Sequence, residues 1–356
     1  MQMQPEFVEE ARRQAEICNA CRYCEGYCAV FPALQAERAF AEADLTQLAN
    51  LCHNCRNCYH ACQYTAPHEF DLNLPKALAE LRHDSWDAFA WPGGLARAFQ
   101  RSGTMIAAAC VLGFAALFLA ARALPADGEG FYAVLSHNAM VAIFAPAFLL
   151  PLLSLAVSLR RYWSHVGGGR ITLGHLRHAF GSAAKMRNLA GGHGDGCNFE
   201  DEDRFSQARR QAHTAVLVGF LLCFASTSSG TVLHYIFDAP APYSLWSLPK
   251  LLGVPGGLLL GAGALWLAAL KFRADPELGA PRAWGGEMGF VLLLAFVAWS
   301  GLGLWLLRDS AALALILALH LGSVLAFFLL MPFTKMAHGF YRLTALVRDA
   351  QRLEAR

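Results

Sequence analysis

The sequence predicts an all-α protein in which a small cysteine-rich helical domain precedes a bundle of six transmembrane helices. Three observations lead to this prediction. Eight of the 11 cysteines lie within residues 18–62, in two copies of one spacing. The residues around them favour helix and show no alternating strand pattern. Beyond residue 100 there are six apolar runs of about 20 residues, the length that a helix needs to cross a bilayer.

The two cysteine runs have the ligand spacing of iron-sulfur proteins. Cys18-x2-Cys21-x2-Cys24-x3-Cys28 returns 34 residues later as Cys52-x2-Cys55-x2-Cys58-x3-Cys62. In two-cluster ferredoxins, three cysteines of such a run bind one cluster and the fourth ligates the other. We therefore predict two [4Fe-4S] clusters, with Cys18, Cys21, Cys24 and Cys62 as ligands of one and Cys52, Cys55, Cys58 and Cys28 as ligands of the other.

Zinc and disulfides are the alternative interpretations of the cysteines. A structural zinc ion usually takes ligand pairs separated by a finger or ribbon, whereas here four cysteines fall within 11 residues, twice. Disulfides need an oxidising compartment, and the polar, acidic start of the chain lacks the features of an export signal. We expect this segment to stay in the cytoplasm. One departure from the ferredoxin pattern is that no proline directly follows Cys28 or Cys62.

The cluster domain is predicted to be helical and to cover residues 1–90. Residues 31–51, between the two runs, are rich in Ala, Leu and Glu, which favour helix. After the second run, Pro75 stands where it would occupy the first turn of another helix. Residues 91–102 are predicted to be a linker at the membrane surface, because tryptophans such as Trp91 are enriched at the headgroup level.

The membrane domain is predicted to cover residues 103–356. Its six apolar runs contain no Asp, Glu, Lys or Arg, as expected for helices that cross the lipid. Only Arg308-Asp-Ser separates the last two runs. The predicted spans are Gly103–Ala121, Asn138–Leu159, Thr214–Phe237, Leu251–Leu270, Met288–Leu307 and Ala311–Phe333.

Basic residues predict the orientation of these spans, since cytoplasmic loops carry an excess of Lys and Arg. The loop 160–212 holds nine of them, and the opposite connection 124–136 holds none. We therefore expect a multi-pass protein of the bacterial inner membrane, with both termini and the loop 160–212 in the cytoplasm. The glycine-rich stretch 191–196 argues against a compact domain in that loop, and the acidic run 200–203 is expected to precede a helix. A net charge of only +2 gives no support for nucleic-acid binding.

Histidines are the candidate ligands within the membrane domain. His213 and His234 lie 21 residues apart on span three, and His320 and His338 lie 18 apart on span six, so the separations are about 31 and 27 Å along a helix. If the two spans are neighbours, His213 faces His338 and His234 faces His320. Such pairs are typical of b-type haem, of which we expect one or two. The reserve outer ligand is His137.

Other interpretations of these residues remain open at this stage. A histidine at the end of a span is often only a hydrogen-bonded interface residue. Lys335 precedes His338 at the cytoplasmic surface and is a candidate donor to a quinone carbonyl, although it would equally serve as a basic anchor. The four histidines of the loop 160–212 are expected to be solvated. Cys110, Cys197 and Cys223 are expected to behave as small apolar residues.

The quoted residues carry a resemblance to a known family. The run Cys18-Asn-Ala-Cys-Arg-Tyr-Cys-Glu-Gly-Tyr-Cys, the second run and the six spans resemble the tricarballylate/citrate-utilisation protein B family (TcuB/CitB). The membrane part is also similar to the nitrate reductase gamma subunit group, which carries b-type haem between helices. The resemblance implies a soluble FAD-dependent dehydrogenase of the tricarballylate type as partner, with electrons passing through clusters and haem to membrane quinone.

The sequence thus predicts the electron-transfer subunit of a flavoprotein:quinone oxidoreductase system. The flavin is expected to belong to the partner, because the glycine-rich stretches do not follow a strand as a dinucleotide fingerprint would. One alternative is a quinol-oxidising subunit, like those of heterodisulfide reductase or the nitrate reductase gamma group. Another is a redox-sensing transporter, against which the uncharged spans argue.

Overall fold

The computed structural model describes residues 3–121, 135–200, 204–239 and 241–355. Within these ranges the chain is helical, and the one β-type pairing is an isolated bridge between Cys197 and Ser206. Six of the helices are long and apolar enough to cross a membrane. The predicted fold class is therefore confirmed. Most of the expected outer connection 124–136 and residues 201–203 of the acidic run lie outside the described residues.

The cluster domain consists of five helices whose buried faces form its core. Its first helix opens with a proline and buries Val8, Ala11, Ala15 and Cys18 on one face. The fifth helix is capped by Asn73, the residue before its first one. The side-chain oxygen of Asn73 accepts from the backbone N–H of Lys76 at 3.1 Å, which is a normal helix cap. The helices are α1 (Pro5–Cys21), α2 (Phe31–Ala36), α3 (Glu42–Leu51), α4 (Asn57–His60) and α5 (Leu74–Phe89).

The membrane domain contains each of the six predicted spans. They are α6 (Leu95–Ala121), α7 (His137–His165), α9 (Ala208–Phe237), α10 (Leu248–Arg273), α11 (Trp284–Leu306) and α12 (Leu313–Leu330). The expected linker 91–102 is largely helical, because α6 already starts at Leu95 and departs from helical geometry only at Ser102. Two further helices lie outside these spans, α8 (Leu173–Ala184) and α13 (Ala337–Glu354).

The spans pack in a fixed order that decides which side chains meet. The helix α9 packs on α10, α10 on α11, and α11 on α6 and α12. A Cβ at Gly219 of α9 would lie 2.4 Å from the backbone nitrogen of Leu260, so glycine permits this close approach. The least buried span is α9, and its Phe220 ring lies 5.9 Å from that of Phe327 on α12.

The C-terminal segment is a helix on which the cluster domain rests, and not a free tail. Gln47 of α3 donates to the carbonyl of Ala345 on α13 at 2.7 Å and accepts from the hydroxyl of Tyr162 on α7 at 2.7 Å. The rings of Trp86 and Tyr341 stack at 5.9 Å. Because these contacts are buried, α13 fixes the cysteine loops against one end of the transmembrane bundle.

Candidate iron-sulfur and haem sites

The first candidate site is a surface recess lined by four thiols. Its empty volume is about 260 Å³, and α1 places two of the thiols three residues apart at its C-terminal end. The helix stops at Arg22, whose φ of 57° turns the chain back toward the recess. The adjacent Tyr23 is 66 % exposed, so the recess lies near solvent. The lining thiols are those of Cys18, Cys21, Cys24 and Cys62.

The second candidate site contains the thiols that follow α3 together with one from the first run. Burial, and then the charge of the Cys28 thiol, raises the pKa of Cys58 well above its usual value. Burial, and then the charges of Cys55 and Cys52, raises the pKa of Cys28. The fourth cysteine of each run therefore lies with the first three of the other run, which is the arrangement expected from the spacing.

The donor sets fit cubane clusters better than a single metal ion or disulfides. Within the described ranges, no three His, Cys, Asp or Glu side chains converge to hold one ion, as four ligands about 2.3 Å from zinc would. All 11 cysteines are free thiols. A cubane distributes its four thiolates over separate irons. Burial and the charge of Cys24 raise the pKa of Cys18 to about 12, so metal binding must displace protons from these thiols.

Four arginines surround the second site and form no ion pair within the described part of the chain. Arg82 and Arg342 donate to the carbonyl of Cys52 at 2.9 and 2.5 Å, from α5 and α13. Burial, and then the charge of Arg209, lowers the pKa of Arg56 to about 10. Buried charges are normally paired, so this group of guanidinium ions fits an anionic cluster held by four thiolates.

The glycine-rich stretch 191–196 and residues 197–200 are folded onto the second site, although the composition argued against a compact domain in the loop 160–212. The backbone N–H of Asn198 donates to the carbonyl of Cys55 at 3.0 Å. A Cβ at Gly192 would lie 2.8 Å from the backbone nitrogen of Cys28, so glycine permits this contact. Cys197, for which no role was expected, is buried with its thiol against Cys55.

One of the loop histidines, His175, departs from the expected solvated state, whereas His193 is exposed as expected. His193 packs its ring edge-on against Tyr27 at 5.2 Å, beside the first cysteine run. His175 is buried and pairs with Glu354 at the end of α13. The density of glycines was the sequence signal for the loop, because it allows a backbone to pack closely on another backbone.

The inner histidine pair lies where the sequence predicts it. The rings of His213 and His338 are 5.8 Å apart with their planes at 81°. His338 Nδ1–H donates to the backbone carbonyl of Lys335, which leaves Nε2 as an acceptor for iron. His213 Nδ1 has no hydrogen-bond partner among the described residues. These features fit the axial ligands of a b-type haem.

The outer histidines are arranged differently from the expectation. His234 stacks on His137, the reserve candidate, with ring centroids 4.2 Å apart. His320 lies in the contact between α12 and α11, where its Nδ1 is 3.1 Å from the hydroxyl of Ser300. The predicted contact of His234 with His320 is therefore wrong, and His234 contacts His137. The reason is that α12 packs on α6 and α11, while α9 packs on α10.

Lys335 belongs to a half-buried charge cluster that the sequence did not reveal. Its ammonium contacts Glu287 Oε1, while Lys271 reaches Oε2 of the same carboxylate at 2.5 Å. His83 Nε2 lies 3.0 Å from Glu287 Oε1. The sequence signal for this cluster was Glu287 itself, an acidic residue one position before an otherwise apolar span.

Stability is expected to fall in acid because of His83. Burial is the main cause that lowers its pKa to about 3, although the hydrogen bond that His83 donates to Glu287 opposes this shift, whereas an unfolded histidine titrates at about 6.5. Below about pH 6.5 the unfolded chain binds a proton that the folded chain rejects, so this contribution is present above that pH and is lost toward pH 3.

The measurement is the free energy of unfolding in detergent for the wild type and for His83→Gln. Between pH 7.5 and 5.5 the wild type is expected to lose about 1.4 kcal/mol more than the variant. Equal losses in the two proteins would show that His83 does not titrate differently on unfolding.

Two thiol-lined sites in a helical domain, docked on six transmembrane helices with paired histidines, define a membrane protein with a ferredoxin-like electron-transfer domain. The chain belongs to the citrate utilization protein B family. The family model for Citrate utilization protein B matches residues 95–356, and that for its Fer4-like domain matches residues 11–88. Citrate utilization protein B of Escherichia coli is 39 % identical over 348 residues, covering 96 % of this chain and 91 % of the relative. No solved structure matches the chain.

These comparisons confirm the family resemblance expected from the sequence. They also support an iron-sulfur electron-transfer role, because the matched N-terminal region is described as Fer4-like. The match of the membrane family model starts at residue 95, where α6 begins.

Proposed function

We propose that the protein carries electrons from a soluble FAD-dependent dehydrogenase of the tricarballylate type, through two [4Fe-4S] clusters and b-type haem, to membrane quinone. The observation that carries this proposal is the exchange of fourth cysteines between the two thiol sites. Two sites that exchange a ligand would lie side by side, and the contacts of α3 with α13 at one end of the bundle support a relay from them into the membrane domain. The name of the relative, Citrate utilization protein B, agrees with a role in the oxidation of a tricarboxylic acid.

The cysteine ligands are proposed to be divided as the thiols are grouped. A bound cluster supplies the chemistry of accepting and releasing one electron at a time, which suits a two-electron flavin donor. The first site lies near solvent beside the exposed Tyr23, so it is accessible to a docked flavoprotein. The ligands are Cys18, Cys21, Cys24 and Cys62 for this site and Cys52, Cys55, Cys58 and Cys28 for the second.

The arginines at the second site give the relay a direction. Positive charge favours the more negative, reduced state of a bound group, and net charge is one determinant of cluster potential. Arg82 and Arg342 lie at the carbonyl of Cys52, whereas the first site is lined by Arg22 as its cation. An electron is therefore expected to be more stable at the second site, which is nearer the bundle.

Haem b is proposed to bind between α9 and the junction of α12 with α13. His213 and His338 are the proposed ligands of the inner haem, since they approach each other across this junction. If a second haem is bound, His137 and His234 are its proposed outer ligands. The hydrogen bond of His338 to the Lys335 carbonyl fixes the tautomer that a ligand needs.

The protein is proposed to lie in the bacterial inner membrane with both termini and the cluster domain in the cytoplasm. The six apolar helices and the basic residues of the loop 160–212 support this topology. A soluble dehydrogenase would then meet the first site from the cytoplasm.

The proposed function is tested by reoxidation of the reduced protein. The full chain is purified anaerobically, placed in lipid nanodiscs, reduced with a stoichiometric amount of dithionite and mixed with a soluble quinone. On addition of quinone, the α-band of reduced haem is expected to be lost, and the visible absorbance that the clusters lose on reduction is expected to return. Two results would contradict the proposal. One is reduced protein that quinone does not reoxidise, and the other is protein that contains neither iron-sulfur clusters nor haem.

A further inference from the structure

A cavity that no cysteine lines is present at the junction of the cluster domain and the bundle. The empty space within it, open solvent included, is about 330 Å³. Its wall is formed by α5, the start of α6, the start of α11 and the segment that joins α12 to α13.

Aromatic and apolar side chains form most of the cavity wall. Trp86, Phe99 and Phe333 line it, together with Pro332 and several alanines. Aromatic faces pack well against a flat conjugated ring. The cavity lies at the end of the spans on which the cluster domain rests, next to the segment that follows α12.

The polar groups of the cavity offer both a donor and an acceptor. Lys335 brings an ammonium donor, 5.5 Å from the Trp86 ring centre. His83 is 3 % exposed, and its Nε2 bonds the Glu287 carboxylate at 3.0 Å, which places the proton on Nε2. Its Nδ1 is then an acceptor, and it is buried without a hydrogen-bond partner in the described part of the chain.

An unpaired buried nitrogen costs free energy unless a ligand or water satisfies it. His83 Nδ1 therefore indicates a partner with an O–H or N–H group in the cavity. Lys335 indicates a partner with an acceptor oxygen. One flat molecule has carbonyl oxygens in its oxidised form and hydroxyl groups in its reduced form, namely a quinone.

The cavity also lies directly beside the second thiol site. The guanidinium of Arg82 lies 5.8 Å from the Trp86 ring centre and donates to the Cys52 carbonyl at 2.9 Å. The indole N–H of Trp86 donates to Asn50 at the end of α3, which leads into Cys52. A ligand against Trp86 is thus separated from the second cysteine loop by one layer of side chains.

We propose that this cavity binds a quinone headgroup, with Lys335 donating to a carbonyl oxygen and His83 Nδ1 accepting from a hydroxyl of the reduced form. This proposal rests on the proposed function, which takes quinone as the electron acceptor, and adds the place where it binds. Glu287 positions both groups, since its carboxylate contacts Lys335 and His83.

The test is photoaffinity labelling of the full chain in nanodiscs with a short-tailed azidobenzoquinone, with and without excess unlabelled quinone. Saturable labelling is expected in peptides that contain residues 83–100, 281–287 or 331–337. Lys335→Met is expected to weaken competition by unlabelled quinone at least about tenfold, or about 1.4 kcal/mol. The matched control is Lys250→Met. Lys250 lies at the end of α10 opposite to Lys271, and its ammonium is 5.9 Å from the Trp305 ring centre. Labelling of this variant is expected to match the wild type.

The reduced-cluster spectrum of Lys335→Met checks that the variant is folded, and peptide mapping of the wild type does not depend on any variant. Three outcomes would overturn this site and leave the proposed function standing. They are labelling of other peptides, undiminished competition by unlabelled quinone in Lys335→Met, and the absence of labelling in protein that still reduces quinone. Wild-type protein that neither labels nor passes electrons to quinone would overturn both.

Discussion

Replacing Cys28 with alanine is expected to remove the cluster of the second cysteine run and to spare that of the first. Cys28 lies in the first run along the chain, but its thiol lies with Cys52, Cys55 and Cys58. Loss of one thiolate normally leaves a cubane incomplete, so the iron content is expected to fall from about eight to about four per chain.

The comparison with other cysteine variants makes this expectation specific. Cys28→Ala and Cys55→Ser are expected to lose the same signal from the electron paramagnetic resonance spectrum of the reduced protein. Cys62→Ala and Cys21→Ser are expected to lose the other signal. The double variant Cys28→Ala/Cys55→Ser should lose no more iron than either single one, because both act on one cluster. Cys110→Ala, in α6, serves as the control that keeps both signals.

The crossing would be refuted by one pattern of losses. If Cys28→Ala lost the signal that Cys21→Ser loses, each run would hold its own cluster. The grouping of the thiols would then have no functional meaning, and the order of the relay would have to be drawn again.

Replacing His338 or His213 with alanine is expected to abolish the inner b-type haem. Both rings meet at the end of the bundle on which the cluster domain rests, with their centroids 5.8 Å apart. The α-band of the reduced-minus-oxidised spectrum is expected to be lost for that haem. If a second haem is present, His234→Ala and His137→Ala are expected to remove it.

His320→Ala is the matched control for the haem variants. His320 lies on α12, and its ring contacts Ser300 of α11. Its spectrum is therefore expected to keep the wild-type haem content. Full retention of haem in both His213→Ala and His338→Ala, or its loss in His320→Ala alone, would contradict the ligand assignment.

Much of the fold could be predicted from the sequence because its signals are local. A run of about 20 apolar residues identifies a span without knowledge of its neighbours, and all six spans lie where predicted. The cysteine spacing likewise shows which thiols belong to one loop, because cysteines a few residues apart must lie close together. The expected grouping of the fourth cysteines followed from the ferredoxin pattern, and the thiols are grouped in that way.

The contacts between distant segments could not be predicted in the same way. Helix spacing predicted that His213 faces His338, and the two rings lie close together, but the contact of His234 depended on which spans are neighbours. Because α10 packs between α9 and α11, His234 meets His137 and not His320. No local signal in the sequence encodes this order of packing.

The charge cluster and the folded loop were missed for a similar reason. Glu287 and His83 are single residues 204 positions apart, and only the fold brings them to Lys335. The composition of the stretch 191–196 argues against a compact domain, yet its glycines allow it to pack on the cysteine loops. The composition of a segment does not reveal whether another part of the chain packs against it.

The central claim is that eight thiolates hold two iron-sulfur cubanes at one end of the transmembrane bundle. Its most direct test is the determination of iron, acid-labile sulfide and zinc in anaerobically purified full-length protein. The account predicts about eight iron and about eight sulfide per chain, without stoichiometric zinc. Stoichiometric zinc, or iron without inorganic sulfide, would contradict it.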